Sequence, residues 1–109
     1  MKYKIILHSN FEKEYKPLAK KFPSLKSDIQ SIIDNIEKEL ALATDLGDGF
    51  KKINLKIKSK GKGSSGGGRI ITYETIIAIT EKEIVLASIY NKSDFDSIDI
   101  AILKKNLGL

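Results

Sequence analysis

Apolar residues change their spacing along the chain, and each spacing predicts a different element. Residues 3–8, YKIILH, are rich in β-branched and aromatic side chains, which is typical of a short strand. A helix is predicted next, with Ser9 as its N-cap and Glu12 completing a capping box. Pro17 lies inside this helix, where it removes one backbone hydrogen bond, and Pro23 ends it. The apolar stripe of this helix comprises Phe11, Tyr15, Leu18, Ala19 and Phe22.

A second apolar stripe gives the strongest helical signal in the chain. Ser24 is the predicted N-cap of this helix, and Asp28 lies near its positive end, where a carboxylate is favourable. The stripe consists of Leu25, Ile29, Ile32, Ile33, Ile36 and Leu40. Because the two helices are joined by only about two residues, we expect them to pack as an antiparallel hairpin.

From Phe50 onward the apolar spacing becomes two residues, the period of a strand. One predicted face of this strand carries Ile53, Leu55 and Ile57, and the other carries Lys52, Asn54, Lys56 and Lys58. A glycine-rich segment at 61–68 is expected to be a mobile hairpin tip. Further strands are predicted at 69–73, 76–80 and 84–90, and a short helix at 98–107.

The order of these elements, β-α-α-β-β-β(-β)-α, indicates the α+β class. We expect one domain covering residues 1–109, since the chain is too short for two cores. The helical hairpin should pack on one face of a mainly antiparallel, twisted sheet. The opposite face of that sheet should then carry the basic residues of the strands.

Composition excludes several kinds of site. The chain has no cysteine, which excludes disulfides and cysteine zinc sites, and one histidine, which excludes a histidine-rich metal site. His8 follows a predicted strand, and we interpret it as a surface or helix-cap residue, because no acidic partner stands at an obvious spacing. No apolar run approaches the roughly 20 residues that span a membrane. We therefore expect a cytoplasmic protein without metal or cofactor.

The positive charge is concentrated in one segment of the chain. The formal net charge is +5. Between Gly49 and Tyr73 there are seven basic residues and no acidic one, so the rest of the chain carries a small negative charge. Such a basic segment favours a polyanionic partner, of which nucleic acid is the commonest. A solvated, lysine-rich hairpin without a partner remains the alternative.

The lysine-bearing face predicts a chemistry for RNA. Lys52, Lys56 and Lys58 would crowd together, and crowding favours loss of a proton from one ammonium group, which can then act as a general base. Arg69 can stabilise charge on a phosphate, and Tyr73 or Tyr90 can stack on a base or relay a proton. Such a set would support metal-free cleavage in which the ribose 2′-hydroxyl attacks its own phosphate. A basic surface without catalysis explains the same residues equally well.

The glycine-rich segment does not predict a nucleotide site. Gly61, Gly63 and Gly66 match the spacing of a dinucleotide fingerprint, but strand residues follow them where that motif requires a helix. A phosphate-binding loop of the Walker type needs a lysine directly after its last glycine, and Gly67 stands there instead.

Four segments together resemble a known family. They are SNFEKEYKPLAKKFPSLKSDI, LGDGFKKINLKI, SKGKGSSGGGRIITY and IVLASIYNKSDFDSI. Over essentially the whole chain, the sequence is similar to RelE/ParE-superfamily toxins of type II toxin–antitoxin modules, and most similar to the RelE/HigB-like branch. The glycine-rich segment and the IYNKS segment are the more specific parts of this resemblance.

The resemblance implies a RelE-like fold and a ribosome-dependent endoribonuclease that cuts messenger RNA. It implies these catalytic residues: Lys52, Lys56, Lys58, Arg69, Tyr90 and Lys92. We further expect these residues to contact RNA: Lys51, Asn54, Lys60, Lys62 and Tyr73. Asn54 departs from the family pattern, in which a second basic residue is usual at that position.

The resemblance also implies partners. A cognate antitoxin would hold the toxin inactive, and the ribosome with its mRNA would be the target, with no membrane and no small-molecule cofactor involved. Two other functions stay open from the sequence. One is a ParE-like poison of DNA gyrase, which shares the fold, and the other is a non-catalytic nucleic-acid-binding module.

Overall fold

A computed structural model describes residues 2–60, 67–95 and 97–109, and a five-stranded sheet organises them. The strands are β1 (Lys2–Leu7), β2 (Thr44–Gly47), β3 (Phe50–Leu55), β4 (Gly68–Ala78) and β5 (Glu81–Asn91). The helices are α1 (Ser9–Lys21), α2 (Leu25–Asp34), α3 (Ile36–Leu42) and α4 (Ile100–Asn106), and Lys58–Lys60 forms a 3₁₀ turn. The predicted α+β class is confirmed. In these ranges no helix is both long and apolar enough to cross a membrane.

The sheet has the order β1-β5-β4-β3-β2. β1 pairs with β5 in parallel, and the other neighbours are antiparallel, so the prediction of a mainly antiparallel sheet is confirmed. The two strands predicted at 69–73 and 76–80 form the single strand β4. The prediction of a glycine-rich hairpin tip falls mostly on residues 61–66. These residues, which include Lys62, lie outside the described ranges.

One face of the sheet packs against α1, α2 and α3 and forms the larger core. Ile53, Leu55 and Ile57 all lie in this core, as the two-residue spacing predicts. Leu25, Ile32 and other residues of the helical stripes cover them. Burial of each such side chain contributes roughly 1.5–3 kcal/mol, which is enough to fix which face of β3 turns inward.

The helical hairpin packs on one face of the sheet, as predicted, and the other face is covered in part by α4, whose position the sequence left open. Leu103 of α4 is buried there against Phe50, Ile71, Ala87 and Tyr90. Phe50 lies on the same face of β3 as Lys52. Because its ring is apolar, this face of the sheet is stabilised by covering it at the start of β3. Lys104 also reaches the β2–β3 turn, where its Nζ lies 2.6 Å from Asp48 Oδ2.

His8, rather than Ser9, is the N-cap of α1. The Nδ1 atom of His8 accepts a hydrogen bond from the Asn10 backbone N–H at 3.0 Å, and Ser9 is already the first helical residue. The predicted capping box of Ser9 and Glu12 was therefore wrong by one position, whereas the interpretation of His8 as a cap is confirmed. An imidazole nitrogen replaces the usual hydroxyl as acceptor for an orphan N–H.

The long second helix is broken at Asn35. Its backbone leaves the helical region there, with φ −116° and ψ 30°, and its side-chain Nδ2 donates to the Ser31 carbonyl at 2.9 Å. Short polar side chains compete with the helix for backbone partners in this way. Ile36 and Leu40 of α3 still reach the same core as α2, so the apolar stripe predicts burial correctly although it runs through the break.

Side chains of α1 complete the edge of β5 beyond the end of β1. Asn10 Nδ2 donates to the Ala87 carbonyl at 3.0 Å. Glu14 Oε1 accepts from Ser88 Oγ at 2.7 Å and from Asn10 Nδ2 at 3.0 Å. The pairing of β5 with β4 shifts register here, between the Ser88 and Leu86 pairs. These contacts hold the carboxyl end of β5, where Tyr90 lies.

The β4–β5 hairpin extends past the end of β3, whereas β1 follows β5 on the other side as far as Glu81. β3 pairs with β4 only as far as Tyr73, and the Glu74 backbone N–H donates to the Gly49 carbonyl at 3.0 Å. Beyond that bond β4 still pairs with β5, but no described strand pairs with its other edge. The hairpin end carries three exposed isoleucines, Ile76, Ile77 and Ile79.

Candidate nucleic-acid interface

Three predicted site residues form a row across the centre of the sheet. Asn54 on β3 pairs with Arg69 on β4, and Arg69 pairs with Tyr90 on β5. Adjacent strands are about 4.8 Å apart, so the row spans roughly 10 Å. Lys52 lies on the same face two residues along β3 and is therefore a diagonal neighbour of Arg69. Sequence reasoning identified all four of these residues, and the register brings them together.

Two other predicted site residues, Tyr73 and Lys51, lie on opposite faces of the sheet. Tyr73 pairs with Phe50 on the face that carries the row, and their rings are 4.9 Å apart between centroids. Lys51 alternates with Lys52 and has the parity of Ile53, which places it on the helix-covered side. Lys51 and the row are therefore on opposite faces.

The prediction that the strand face of Lys52 continues through Lys58 was wrong, because Lys58 lies outside the strand. β3 ends at Leu55, Lys56 is exposed beyond that end, and Lys58 begins the 3₁₀ turn. The Lys58 backbone N–H donates to Asp28 Oδ2 at 3.2 Å. The hydroxyl of Ser24, which makes no cap bond to its own helix, also bonds Asp28, at 2.6 Å. The buried Asp28 carboxylate thus bends the chain toward the start of α2.

Arg69 supplies a half-buried positive charge at the centre of the row. Its Nη1 donates to the Gly68 carbonyl at 2.9 Å, which fixes one side of the guanidinium group. Arg69 also lowers the pKa of the neighbouring Tyr90 phenol by charge attraction, although this effect is smaller than that of burial. A guanidinium group suits this role because its planar N–H groups match the geometry of phosphate oxygens.

Tyr90 is a buried phenol next to that charge. Only 4% of the residue is exposed, and its ring packs in the second core beside Leu103. Burial raises the pKa of Tyr90 above its usual value of about 10, the attraction of Arg69 opposing it. Its Oη finds no hydrogen-bond partner among the described residues. The phenol is therefore protonated at neutral pH, and none of the described groups accepts its proton.

Asn91, which sequence reasoning missed, holds Lys60 beside the row. Lys60 Nζ donates to Asn91 Oδ1 at 2.7 Å, and Ser93 Oγ lies 3.4 Å from the same nitrogen. Asn91 is 1% exposed, and its Nδ2 has no partner in the described part of the chain. The signal in the sequence that could have identified Asn91 is its place as a polar residue directly after an apolar strand.

Lys92 completes the predicted set that the structure describes. Its side chain is exposed, and its backbone N–H donates to the Gly67 carbonyl at 3.1 Å. Lys60 and Lys92 thus bring two cations to the carboxyl end of β5. In residues 2–60, 67–95 and 97–109, no group of three histidine or acidic side chains is close enough to hold a metal ion.

Comparison with known proteins adds no name to this geometry. No model of a protein family matches the chain. No curated protein matches it either. Function is therefore inferred from the residues of the site and from the resemblance that the sequence carries.

Proposed function

We propose that this chain is a RelE-like toxin of a type II toxin–antitoxin module, and that it cleaves messenger RNA on the ribosome. The fold supports the proposal in its α+β class and in its order of a strand and two helices, with α2 and α3 counted as one broken helix, before the remaining strands; β2 is a strand that the sequence did not predict. The observation that carries it is the row of Asn54, Arg69 and Tyr90 on three paired strands, with Lys52 diagonal to Arg69.

In the proposed reaction the RNA supplies its own nucleophile. The ribose 2′-oxygen attacks the adjacent phosphorus, and we assign acceptance of the 2′-hydroxyl proton to Lys52, the lysine of β3 on the face of the row. Arg69 stabilises the extra negative charge on the phosphorus centre. The 5′-oxygen of the next nucleotide leaves and takes a proton from Tyr90. The products are a 2′,3′-cyclic phosphate and a 5′-hydroxyl end, and DNA is not cut because it has no 2′-hydroxyl.

The burial of Tyr90 sets a condition on this reaction. Since its Oη is covered in the free protein, the phenol reaches the leaving oxygen only when bound RNA displaces the groups that cover it. Exposed residues make the first contact. Asn54 and Lys92 are exposed at the two ends of the site, and Lys52 is half-exposed. Lysine and amide side chains in these positions contact phosphates without reading the sequence.

The test is induced expression followed by mapping of transcript 5′ ends, with purified protein then added to ribosomes programmed with a defined mRNA. We expect growth arrest and new 5′-hydroxyl ends inside open reading frames. Lys52→Ala should reduce cleavage, whereas Lys38→Ala, which removes the same charge from an exposed position on α3, should not. Equal effects of the two variants would contradict the site.

Other outcomes distinguish the alternative functions and the partners. Growth arrest with intact transcripts and DNA double-strand breaks would indicate a gyrase poison and would overturn the proposal. RNA binding that weakens steeply with salt and yields no cleavage product would indicate a non-catalytic module. As partners we propose a cognate antitoxin that covers Arg69 of the row and the neighbouring Lys52, and the ribosome with its mRNA in the cytoplasm.

A further inference from the structure

A cavity lies between α1 and the carboxyl end of β5, beside the row. Its volume is about 350 Å³, and its α1 wall consists of Glu14, Pro17, Leu18 and Lys21. The other side is formed by Tyr90, Asn91, Asp94 and Phe95. Ligand cavities commonly have volumes of roughly 300–1,000 Å³ and combine apolar walls with a few polar groups. The cavity therefore has the size and lining of a site for one flat, polar-edged ring.

Phe95 offers an aromatic surface at this cavity. It is 59% exposed, although most aromatic rings in the molecule are partly or fully buried. Its ring stands edge-on to Tyr90, with centroids 6.2 Å apart and planes at 83°. Nucleobases stack on aromatic side chains presented in this way, and a base would cover apolar surface that now faces water.

Asn91 provides the second, independent observation. Its Oδ1 must face Lys60, because an ammonium group can only donate hydrogen bonds. The orientation of the amide is thereby fixed, and its Nδ2 is left as a buried donor without a partner among the described residues. Because Asn91 lines the cavity, a ligand that brings a hydrogen-bond acceptor would satisfy this donor.

Asp94 supplies the complementary chemistry. Its carboxylate is exposed at the cavity, and an ionised carboxylate only accepts hydrogen bonds. A base that pairs with both residues needs one acceptor for the Asn91 Nδ2 donor, next to two donors for the Asp94 carboxylate. Guanine has that edge in O6, N1–H and N2–H, whereas uracil offers one donor beside its acceptor, and cytosine and adenine offer an amino group beside a bare ring nitrogen.

We propose that this cavity binds a guanine base of the RNA strand, stacked on Phe95 and read by Asn91 and Asp94. The inference rests on the proposed function, because it names the base that the same site would select. Tyr90 belongs to both the cavity and the row. The selected guanine would therefore lie next to the phosphate that is cut.

The test measures binding without cleavage. The full-length ¹⁵N-labelled protein is titrated with guanosine, adenosine, cytidine and uridine 5′-monophosphates and followed by NMR. We expect the guanosine nucleotide to shift the Asn91 side-chain NH₂ signal and to bind about 5- to 100-fold more tightly than the others, which is the usual discrimination of a bidentate base contact. Absence of guanine preference, or shifts elsewhere on the protein, would overturn the proposal.

Variants test each contact in turn. Phe95→Leu should weaken binding of all four nucleotides about 5- to 100-fold, because a stacking face is lost, and Phe95→Tyr should restore it. Asp94→Asn should remove the guanine preference while leaving stacking intact. Asp34→Asn, the same change at an exposed position on α2, is the matched control and should leave the preference unchanged. If Asp94→Asn behaves like Asp34→Asn, the cavity does not read guanine.

The two proposals can fail separately. Cleavage of mRNA on ribosomes by a protein that binds no guanosine monophosphate would overturn the guanine site and leave the nuclease standing. Guanosine binding at the cavity by a protein that never cuts RNA would overturn the nuclease and leave a guanine-binding module.

Discussion

Replacing Tyr90 with phenylalanine removes a single oxygen atom and keeps the ring in place. The ring packs against the second core and stands edge-on to Phe95, and neither contact needs the hydroxyl. The Oη atom is buried with no hydrogen-bond partner in the described residues. A buried hydroxyl in that state costs roughly 1–3 kcal/mol. We therefore expect Tyr90→Phe to raise the free energy of unfolding by about 1 kcal/mol.

This gain in stability should accompany a loss of activity. A gain of about 1 kcal/mol raises the melting temperature by roughly 4–8 °C in a domain near this size. If Tyr90 donates the proton to the leaving oxygen, its loss should slow cleavage about 10²- to 10⁴-fold. The assays are thermal unfolding by circular dichroism and single-turnover cleavage of ribosome-bound mRNA. Unchanged cleavage would refute Tyr90 as the general acid. A lower melting temperature would refute the inference that the buried Tyr90 hydroxyl destabilises the fold.

The pH dependence of stability tests the same phenol. Burial raises the pKa of Tyr90 in the folded state above its unfolded value of about 10. Above that pH the unfolded chain releases the phenolic proton while the folded chain retains it. The wild-type free energy of unfolding should therefore fall as pH rises above about 10, and less so in Tyr90→Phe. Denaturant titrations at about pH 9 and about pH 11 measure the difference, and parallel losses in both proteins would contradict this reasoning.

Three further substitutions test the site, the core and a turn. Arg69→Ala should slow cleavage about 10²- to 10³-fold with an unchanged circular dichroism spectrum, and full toxicity of the variant would remove Arg69 from the site. Ile32→Asp should leave the protein unfolded in the same spectrum, because it places a charge in the larger core, where Ile32 is 6% exposed. Gly49→Ala should lower stability in denaturant titrations more than Gly47→Ala. Both glycines have a φ near +85°, but only at Gly49 would the new Cβ meet Tyr73 and the Glu74 carbonyl, at 3.3 Å, and equal losses would exclude that contact.

The apolar spacing predicts most of the fold because burial decides it. The stripes of the first two predicted helices and the alternation in β3 name residues that all reach the larger core, such as Leu25 and Ile53. Helix ends are set by single hydrogen bonds instead. His8 takes the cap that Ser9 was expected to provide, and Asn35 breaks a helix that its apolar stripe would continue.

The candidate site could be predicted only as far as strand register follows from the sequence. Alternation places Lys52 and Asn54 together on β3, and the pairing with Arg69 and Tyr90 adds the row. Lys58 departs from this pattern, because its backbone bonds to Asp28, which lies 30 residues earlier in the chain. The spacing of residues within a short segment cannot predict a contact between residues this far apart in the chain. The same holds for α4, whose apolar stripe shows that it is buried but not on which face.

The edge of β4 that has no described neighbour beyond Glu74 affects how the protein behaves in concentrated solution. Past Glu74 the strand offers backbone groups and the exposed Ile76, and residues 75–80 include no charged side chain. Strands of this kind template association with other chains. Opposing this, copies of the molecule repel one another through their net charge of +5, and dissolved salt screens that repulsion over about 10 Å at 0.1 M. Low ionic strength therefore favours dispersed molecules, and added electrolyte favours clustering through the hairpin.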